Sequence, residues 1–92
     1  MQVGIDTLAM ATSRYVLDLA TLAKARDIDP AKFNTGLGLL AMSVPPPGED
    51  VVTLGANAAL AAVRGVKLDD IELVLFATES GIDQSKSAGI YV

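Results

Sequence analysis

The sequence lacks both cysteine and histidine, and these two absences exclude several kinds of site from the 92 residues themselves. Without cysteine the chain forms no disulfide and offers no thiolate nucleophile. Without histidine it cannot assemble a Ser-His or Cys-His catalytic pair. A zinc site made of these two residue types is excluded as well.

Basic residues are also few, because 7 Lys and Arg stand against 11 Asp and Glu. The net charge of −4 and the pI of about 4.4 do not suit a protein that binds the phosphates of nucleic acids. The sequence has neither a basic N-terminal leader nor an apolar run of 18 or more residues. We therefore predict a cytoplasmic protein that binds neither nucleic acid nor membrane.

Aromatic residues make up only 4% of the chain, although 51% of it is hydrophobic. The apolar content is therefore mostly aliphatic, and it is high for a chain that buries only about two-thirds of its unfolded surface. This composition suits one part of a larger core or interface. We expect residues 1–92 to be an incomplete fragment of a larger domain.

Three aspartates predict where helices begin. Asp18 is a suitable N-cap for a helix that ends near Arg26 or Asp27, and Asp29-Pro30 should begin a short helical turn. Asp50 should cap a helix over residues 51–64. Because that helix is apolar on every face, we expect it to be buried on all sides.

Two stretches have the pattern of β-strands. Residues 3–11 alternate with a period of two, and residues 71–77 are almost continuously apolar, which is typical of a strand covered on both faces. A last helix should begin at residues 83–85 and continue to residue 92. Strands separated by helices predict an α/β fold with a parallel sheet. Two strands are too few for such a sheet, so others must come from outside these residues.

Glu79 is the first candidate functional residue, because Thr78-Glu79-Ser80-Gly81 follows the predicted strand directly. Open α/β sheets bind ligands beyond the carboxyl ends of their strands. Partial burial there would raise the pKa of the Glu79 carboxyl group toward values useful in acid–base catalysis. The alternative is that Glu79 is an ordinary loop residue in water.

A second candidate region surrounds the Asp29-Pro30 turn, where Lys24, Arg26 and Lys32 could together meet a phosphate. Acidic residues are interspersed among them, and this pattern favours a solvated surface of mixed charge. The nearby Gly36-x-Gly38 lacks the third glycine and the preceding strand of a dinucleotide-binding fingerprint.

Beyond these patterns, several stretches carry a resemblance to a known family. They are Val3-Gly4-Ile5-Asp6, Leu22-Ala23-Lys24-Ala25-Arg26, Asp29-Pro30-Ala31-Lys32-Phe33, Gly36-Leu37-Gly38, Met42-Ser43-Val44, residues 49–59 with Gly55-Ala56-Asn57-Ala58-Ala59, Ala77-Thr78-Glu79-Ser80-Gly81-Ile82-Asp83, and Lys86-Ser87-Ala88. Together they resemble the N-terminal part of hydroxymethylglutaryl-CoA synthase, a member of the thiolase superfamily. The resemblance extends over nearly the whole chain.

The resemblance implies a thiolase-like α/β fold, with a parallel or mixed sheet covered by helices. It implies an enzyme of the mevalonate pathway that condenses acetyl-CoA with acetoacetyl-CoA to give 3-hydroxy-3-methylglutaryl-CoA and free CoA. Glu79 would be the general base that acts on the acetyl methyl group. Asp29 and Pro30, with Lys32, would contact CoA. The family uses CoA thioesters as substrates without a metal or bound cofactor, and a homodimer is expected.

The family's nucleophilic cysteine and its histidine have no counterpart in this sequence, and we expect them beyond Val92. The expected partner is therefore the remainder of a synthase chain, and the 92 residues alone should be inactive. Two alternatives stay open. One is another condensing enzyme of the thiolase fold, either a ketosynthase or a synthase of polyketide β-branching that uses carrier-protein substrates. The other is a non-catalytic interaction module, if the chain ends at Val92.

Overall fold

The computed structural model describes residues 4–92, and these divide into two compact units. One unit is Ser13–Gly48, which we call the hairpin unit. The other comprises residues 4–12 with Glu49–Val92, and we call it the Glu79 unit. The two units are described in turn.

The hairpin unit contains two short strands and two short helices. They are β1 (Tyr15–Asp18), α1 (Leu19–Arg26), α2 (Ala31–Asn34) and β2 (Ala41–Val44). The strands pair antiparallel, with Tyr15 opposite Val44 and Asp18 opposite Ala41. Neither strand was predicted from the sequence, because four-residue strands carry little periodicity and their pairing is set by contacts distant in the chain.

Helix α1 begins and ends as the sequence predicts. The Asp18 carboxylate caps it by accepting hydrogen bonds from the backbone N–H of Thr21 at 2.7 Å and from its hydroxyl at 2.9 Å. Asp27 ends the helix in the left-handed region with φ of 53°, which short polar side chains tolerate better than most. The prediction for the short helix after Asp29-Pro30 is confirmed as well, by α2.

The core of the hairpin unit is small and includes a buried hydroxyl. Leu19 and Ala23 on α1 are 4% and 0% exposed. Next to β1, the Ser13 backbone N–H donates to the Ser43 hydroxyl at 2.9 Å, and the Ser13 hydroxyl donates to the Val44 carbonyl at 2.7 Å. These bonds connect the chain just before β1 to β2, so they hold the ends of the strand pair together.

In the Glu79 unit the main element is helix α3 (Val51–Ala62). Its predicted cap is confirmed: the Asp50 carboxylate accepts from the Thr53 N–H at 2.8 Å, while the Asp50 N–H donates to the Thr53 hydroxyl at 2.8 Å. This reciprocal pair is a capping box. The helix ends two residues before the predicted Arg64, and Gly65 follows with φ of 80°.

The prediction that α3 is buried on all sides is wrong for this structure. Gly55 is its one buried residue, whereas Leu60 is 67% exposed and Asn57 is exposed as well. A helix face is buried only where another element packs on it, and within this unit the packing on α3 is concentrated around Gly55, where Phe76 and Val92 approach.

Neither predicted strand forms among the described residues. The stretch 71–77 has no regular structure, and Leu73, Val74 and Leu75 are 73%, 68% and 81% exposed. Residues 4–11 form no strand either, and residue 3 of that prediction lies outside the described residues. A strand needs hydrogen bonds to a neighbouring strand, and no described segment pairs with these two stretches.

The predicted final helix is also wrong, since only a 3-10 helix, Ala88–Ile90, forms between residues 83 and 92. The start of a helix is costly, and most helices in proteins depend on packing of an apolar face. Here Ala88 is buried but Ile90 is 68% exposed, so little packing supports a longer helix. A second 3-10 helix, Leu68–Asp70, follows α3.

Candidate functional site

Glu79 lies in a tight loop, residues 78–81, which we call the Glu79 loop. The Thr78 hydroxyl donates to the Ser80 carbonyl at 2.8 Å, and the Ser80 N–H is 3.2 Å from the same hydroxyl oxygen, to which it donates. These two bonds close the backbone around Glu79 without using its side chain. Glu79 is exposed, so the partial burial of its carboxyl group that the sequence suggested is absent from this structure.

The chain just after this loop is organised by Asp83. One carboxylate oxygen of Asp83 accepts from the backbone N–H groups of Ser85 at 2.7 Å and Lys86 at 3.1 Å. Its other oxygen accepts from the Tyr91 hydroxyl at 2.8 Å. The Ser85 N–H, followed by the Tyr91 hydroxyl, lowers the pKa of Asp83, and the same carboxylate raises the pKa of Tyr91. The Asp83 carboxylate is therefore fixed in place by the three hydrogen bonds that it accepts.

The Glu79 loop borders an open concavity of about 540 Å³. Its lining combines an apolar part from the stretch before the loop with polar groups from the loop and from the chain after it. The lining residues are Val74, Phe76, Thr78, Glu79, Ser80, Gly81, Asp83, Lys86, Ser87, Ala88, Gly89 and Ile90. A carboxylate at the edge of such a depression can exchange a proton with a small molecule bound there.

The Asp29-Pro30 turn lies in the hairpin unit between α1 and α2. The Asp29 carboxylate accepts from the Ala31 N–H at 2.9 Å, and the Asp29 carbonyl accepts from the Lys32 N–H at 3.1 Å. Pro30 has φ of −56° and ψ of −25°, which is already helical backbone. All three predicted CoA-contacting residues, Asp29, Pro30 and Lys32, are exposed.

The predicted site residues therefore fall into two groups. Glu79 belongs to the Glu79 unit, and Asp29, Pro30 and Lys32 belong to the hairpin unit.

 The Asp29-Pro30 turn and the Glu79 loop are each closed by hydrogen bonds within their own unit. Among residues 4–92 no cluster of three or more acidic side chains is arranged to hold a metal ion. Over the same residues, no helix is long and apolar enough to cross a membrane.

Sequence reasoning missed the bond between Asp83 and Tyr91 and the bonds between Ser13 and Ser43. Asp83 was expected only as a start of the last helix, and its bonds to the N–H groups of Ser85 and Lys86 resemble those of a helix cap. The pattern Asp-x-Ser indicates such a local turn. No pattern indicates the Ser13–Ser43 contact, because the two residues are 30 positions apart.

Comparison with known proteins finds relatives of similar sequence. The hydroxymethylglutaryl-CoA synthase of Enterococcus faecalis is 41% identical over 90 residues, covering 98% of this chain and 24% of that protein. The synthase of the same name from Haloferax volcanii is 44% identical over 93 residues, covering 98% and 21%. The polyketide biosynthesis 3-hydroxy-3-methylglutaryl-ACP synthase PksG of Bacillus subtilis is 38% identical over 92 residues. No family model matches the chain.

Solved structures agree with these relatives. A crystal structure of HMG-CoA synthase complexed with CoA superimposes with a TM-score of 0.74 at 44% identity, covering 99% of this chain and 24% of that one. A structure of MvaS in complex with 3-hydroxy-3-methylglutaryl coenzyme A gives a TM-score of 0.78 at 43% identity, covering 97% and 22%. The chain spans about a quarter of the length of the relatives it matches.

These likenesses define the chain first as part of a thiolase-like α/β fold, which confirms the predicted fold class. More particularly, the chain is homologous over nearly its whole length to a segment of the hydroxymethylglutaryl-CoA synthases. The resemblance predicted from the sequence is thereby confirmed.

Proposed function

We propose that this chain is the N-terminal segment of a hydroxymethylglutaryl-CoA synthase, which condenses acetyl-CoA with acetoacetyl-CoA to give 3-hydroxy-3-methylglutaryl-CoA and free CoA. The observation that carries the proposal is the identity of 41% and 44% to two such synthases over 98% of the chain. The cysteine and histidine of the reaction would come from the remainder of the synthase, since these residues contain neither. The same proposal takes the complete synthase to be a cytoplasmic homodimer.

In this proposal Glu79 is the general base. The acetyl group is first transferred to the cysteine, which releases CoA. The Glu79 carboxylate then takes a proton from the acetyl methyl group, and the resulting carbanion forms a carbon–carbon bond with the ketone carbon of acetoacetyl-CoA. The C=O π bond of that ketone opens to an alkoxide, which takes up a proton and becomes the 3-hydroxyl group. Water finally cleaves the thioester to the cysteine. The position of Glu79 at an open concavity supports this role, because a base must come within about 3 Å of the group it deprotonates.

The Asp29-Pro30 turn is the proposed contact with CoA. Exposure and a defined backbone support this role: Asp29, Pro30 and Lys32 are accessible, and the Asp29 carboxylate fixes the turn by accepting from the Ala31 N–H. The Lys32 ammonium would be attracted to a phosphate of CoA.

A second candidate is a synthase that uses carrier-protein substrates, favoured by the 38% identity to the 3-hydroxy-3-methylglutaryl-ACP synthase of Bacillus subtilis. The two candidates share the condensation chemistry and differ in what carries the acyl group. Comparing acetyl-CoA with an acetylated carrier protein as donors distinguishes them.

The test of the proposal is Glu79→Gln in a synthase polypeptide that contains this segment. Glutamine has nearly the shape of glutamate but cannot accept the proton, so condensation should fall by about a hundred- to ten-thousandfold. Acetyl transfer to the cysteine requires no proton from the methyl group and should continue. Incorporation of labelled acetyl groups, measured beside product formation, separates the two steps.

Glu72→Gln is the matched control, because Glu72 is another exposed glutamate of the same unit. It should leave both steps unchanged. Condensation at a normal rate in Glu79→Gln would show that Glu79 is a loop residue without a catalytic role.

A further inference from the structure

The ring of Phe76 lies between two glycines of the Glu79 unit. A Cβ atom added to Gly55 of α3 would be 2.7 Å from the Phe76 Cζ atom and 2.9 Å from its Cε2 atom. A Cβ atom added to Gly89 would be 3.4 Å from the Phe76 Cβ atom. The aromatic ring therefore lies directly on the backbone of α3, and any side chain larger than that of glycine at position 55 requires the ring to shift.

Gly55 has no other evident reason to be glycine. It is the fifth residue of a 12-residue helix, where glycine is less favourable than alanine. Its backbone is not in the left-handed region, unlike that of Gly38, Gly48 and Gly65. Close packing explains the choice, because Gly55 is the buried residue of α3 and its contacts are Phe76 and Val92.

Phe76 is only three residues before Glu79, and both line the same concavity. Three residues of extended chain reach at most about 11 Å, so the position of the ring limits where Glu79 can lie. The bonds between Thr78 and Ser80 tighten the chain between them further.

We propose that Gly55 and Phe76 are positioning residues for Glu79: the ring packed on the glycine holds the start of the Glu79 loop against α3. The inference rests on the proposed role of Glu79 as general base. A base displaced by about 1 Å loses up to about a hundredfold in rate, so loss of this packing should slow proton removal specifically.

The test uses a Val92→Ala background in the synthase polypeptide, because the Val92 Cγ2 atom is also 2.7 Å from an added Cβ. In that background the nearest remaining atoms to the Cβ added by Gly55→Ala are those of the Phe76 ring. We expect condensation to fall by about ten- to a hundredfold, while acetyl incorporation changes by less than about twofold. Adding Phe76→Leu, which removes the Cε and Cζ atoms, should restore most of the condensation.

Asn57→Ala is the matched control, since Asn57 is exposed on the same helix and should leave both steps unchanged. Equal losses of acetyl incorporation and condensation would overturn the proposal, because they indicate damage to the whole fold. Unchanged condensation in the Gly55→Ala variant, or no recovery with Phe76→Leu, would overturn it too.

If the Gly55→Ala variants do not fold, Phe76→Leu alone provides the test. It leaves a gap above Gly55, so condensation should fall while acetyl incorporation is retained, and unchanged condensation would overturn the proposal. Failure of the proposed function is recognised separately. In that case Glu79→Gln itself condenses at a normal rate, whatever the Gly55 variants do.

Discussion

The hairpin unit and the Glu79 unit differ in whether their strand-like stretches find a partner for their backbone N–H and C=O groups. In the hairpin unit, β1 pairs with β2 along four residues, and the Leu19 N–H donates to the Leu40 carbonyl at 3.0 Å. In the Glu79 unit, the stretch 71–77 has strong strand character but no strand partner among the described residues. The better strand sequence is therefore the one that does not form a strand.

This difference shows that a strand depends on its partner more than on its own composition. Ala41-Met42-Ser43-Val44 has modest β character, yet it pairs because β1 lies within the same unit. Leu73, Val74 and Leu75 remain exposed at 73%, 68% and 81% although they belong in an apolar environment. Helix caps need no such partner: the predicted caps Asp18 and Asp50 are both present, and the Asp29 carboxylate accepts from the Ala31 N–H at the start of α2.

The largest expected effect is a contrast in hydrogen exchange within the 92-residue chain. Amides that bond across the β1–β2 pair and amides bonded within α1 are held in hydrogen bonds, so they should exchange at least about tenfold more slowly than unstructured amides. Amides of residues 71–77 should show no protection. Exchange followed by NMR measures both regions in one sample.

Protection of residues 71–77 equal to that of β1 would contradict the comparison. It would mean that these residues find a strand partner in this chain after all. Loss of protection in β1 and β2 as well would show that the hairpin unit does not hold its structure alone.

A smaller effect is expected from Ser43→Ala in the hairpin unit. The Ser43 hydroxyl accepts the bond from the N–H of Ser13, which is 9% exposed, and its removal leaves that donor unpaired. Such a loss costs about 1–3 kcal/mol. Exchange of the β1 and β2 amides should therefore become faster.

Thr35→Ala is the control for this change, because the Thr35 hydroxyl donates to the exposed side chain of its neighbour Asn34. It should leave the exchange of β1 and β2 unaltered. If Ser43→Ala behaves like Thr35→Ala, the Ser13–Ser43 bonds do not hold the strand pair together.

What the sequence predicted correctly is mostly local. Asp18 and Asp50 cap helices through bonds to residues three positions away, so their patterns are contained in one short stretch. The pairing of β1 with β2 and the packing of Phe76 on Gly55 join residues more than 20 positions apart, and no single stretch encodes them. The location of Glu79 after an apolar stretch was likewise visible locally. Its catalytic role came from the family resemblance and stays a prediction.

The smallest expected effect concerns the cap of α3 and its dependence on pH. The Thr53 backbone N–H holds the pKa of Asp50 below its ordinary value of 3.8. Since the folded pKa is lowered, the cap stabilises the helix above 3.8 and loses this effect as the pH falls through the lower folded value. An NMR titration of the Thr53 amide proton should therefore have a midpoint below 3.8. Asp50→Asn keeps an oxygen that accepts the bond but does not titrate, so the step should disappear. A midpoint at or above 3.8, or the same step in Asp50→Asn, would show that this carboxylate is not the group that caps α3.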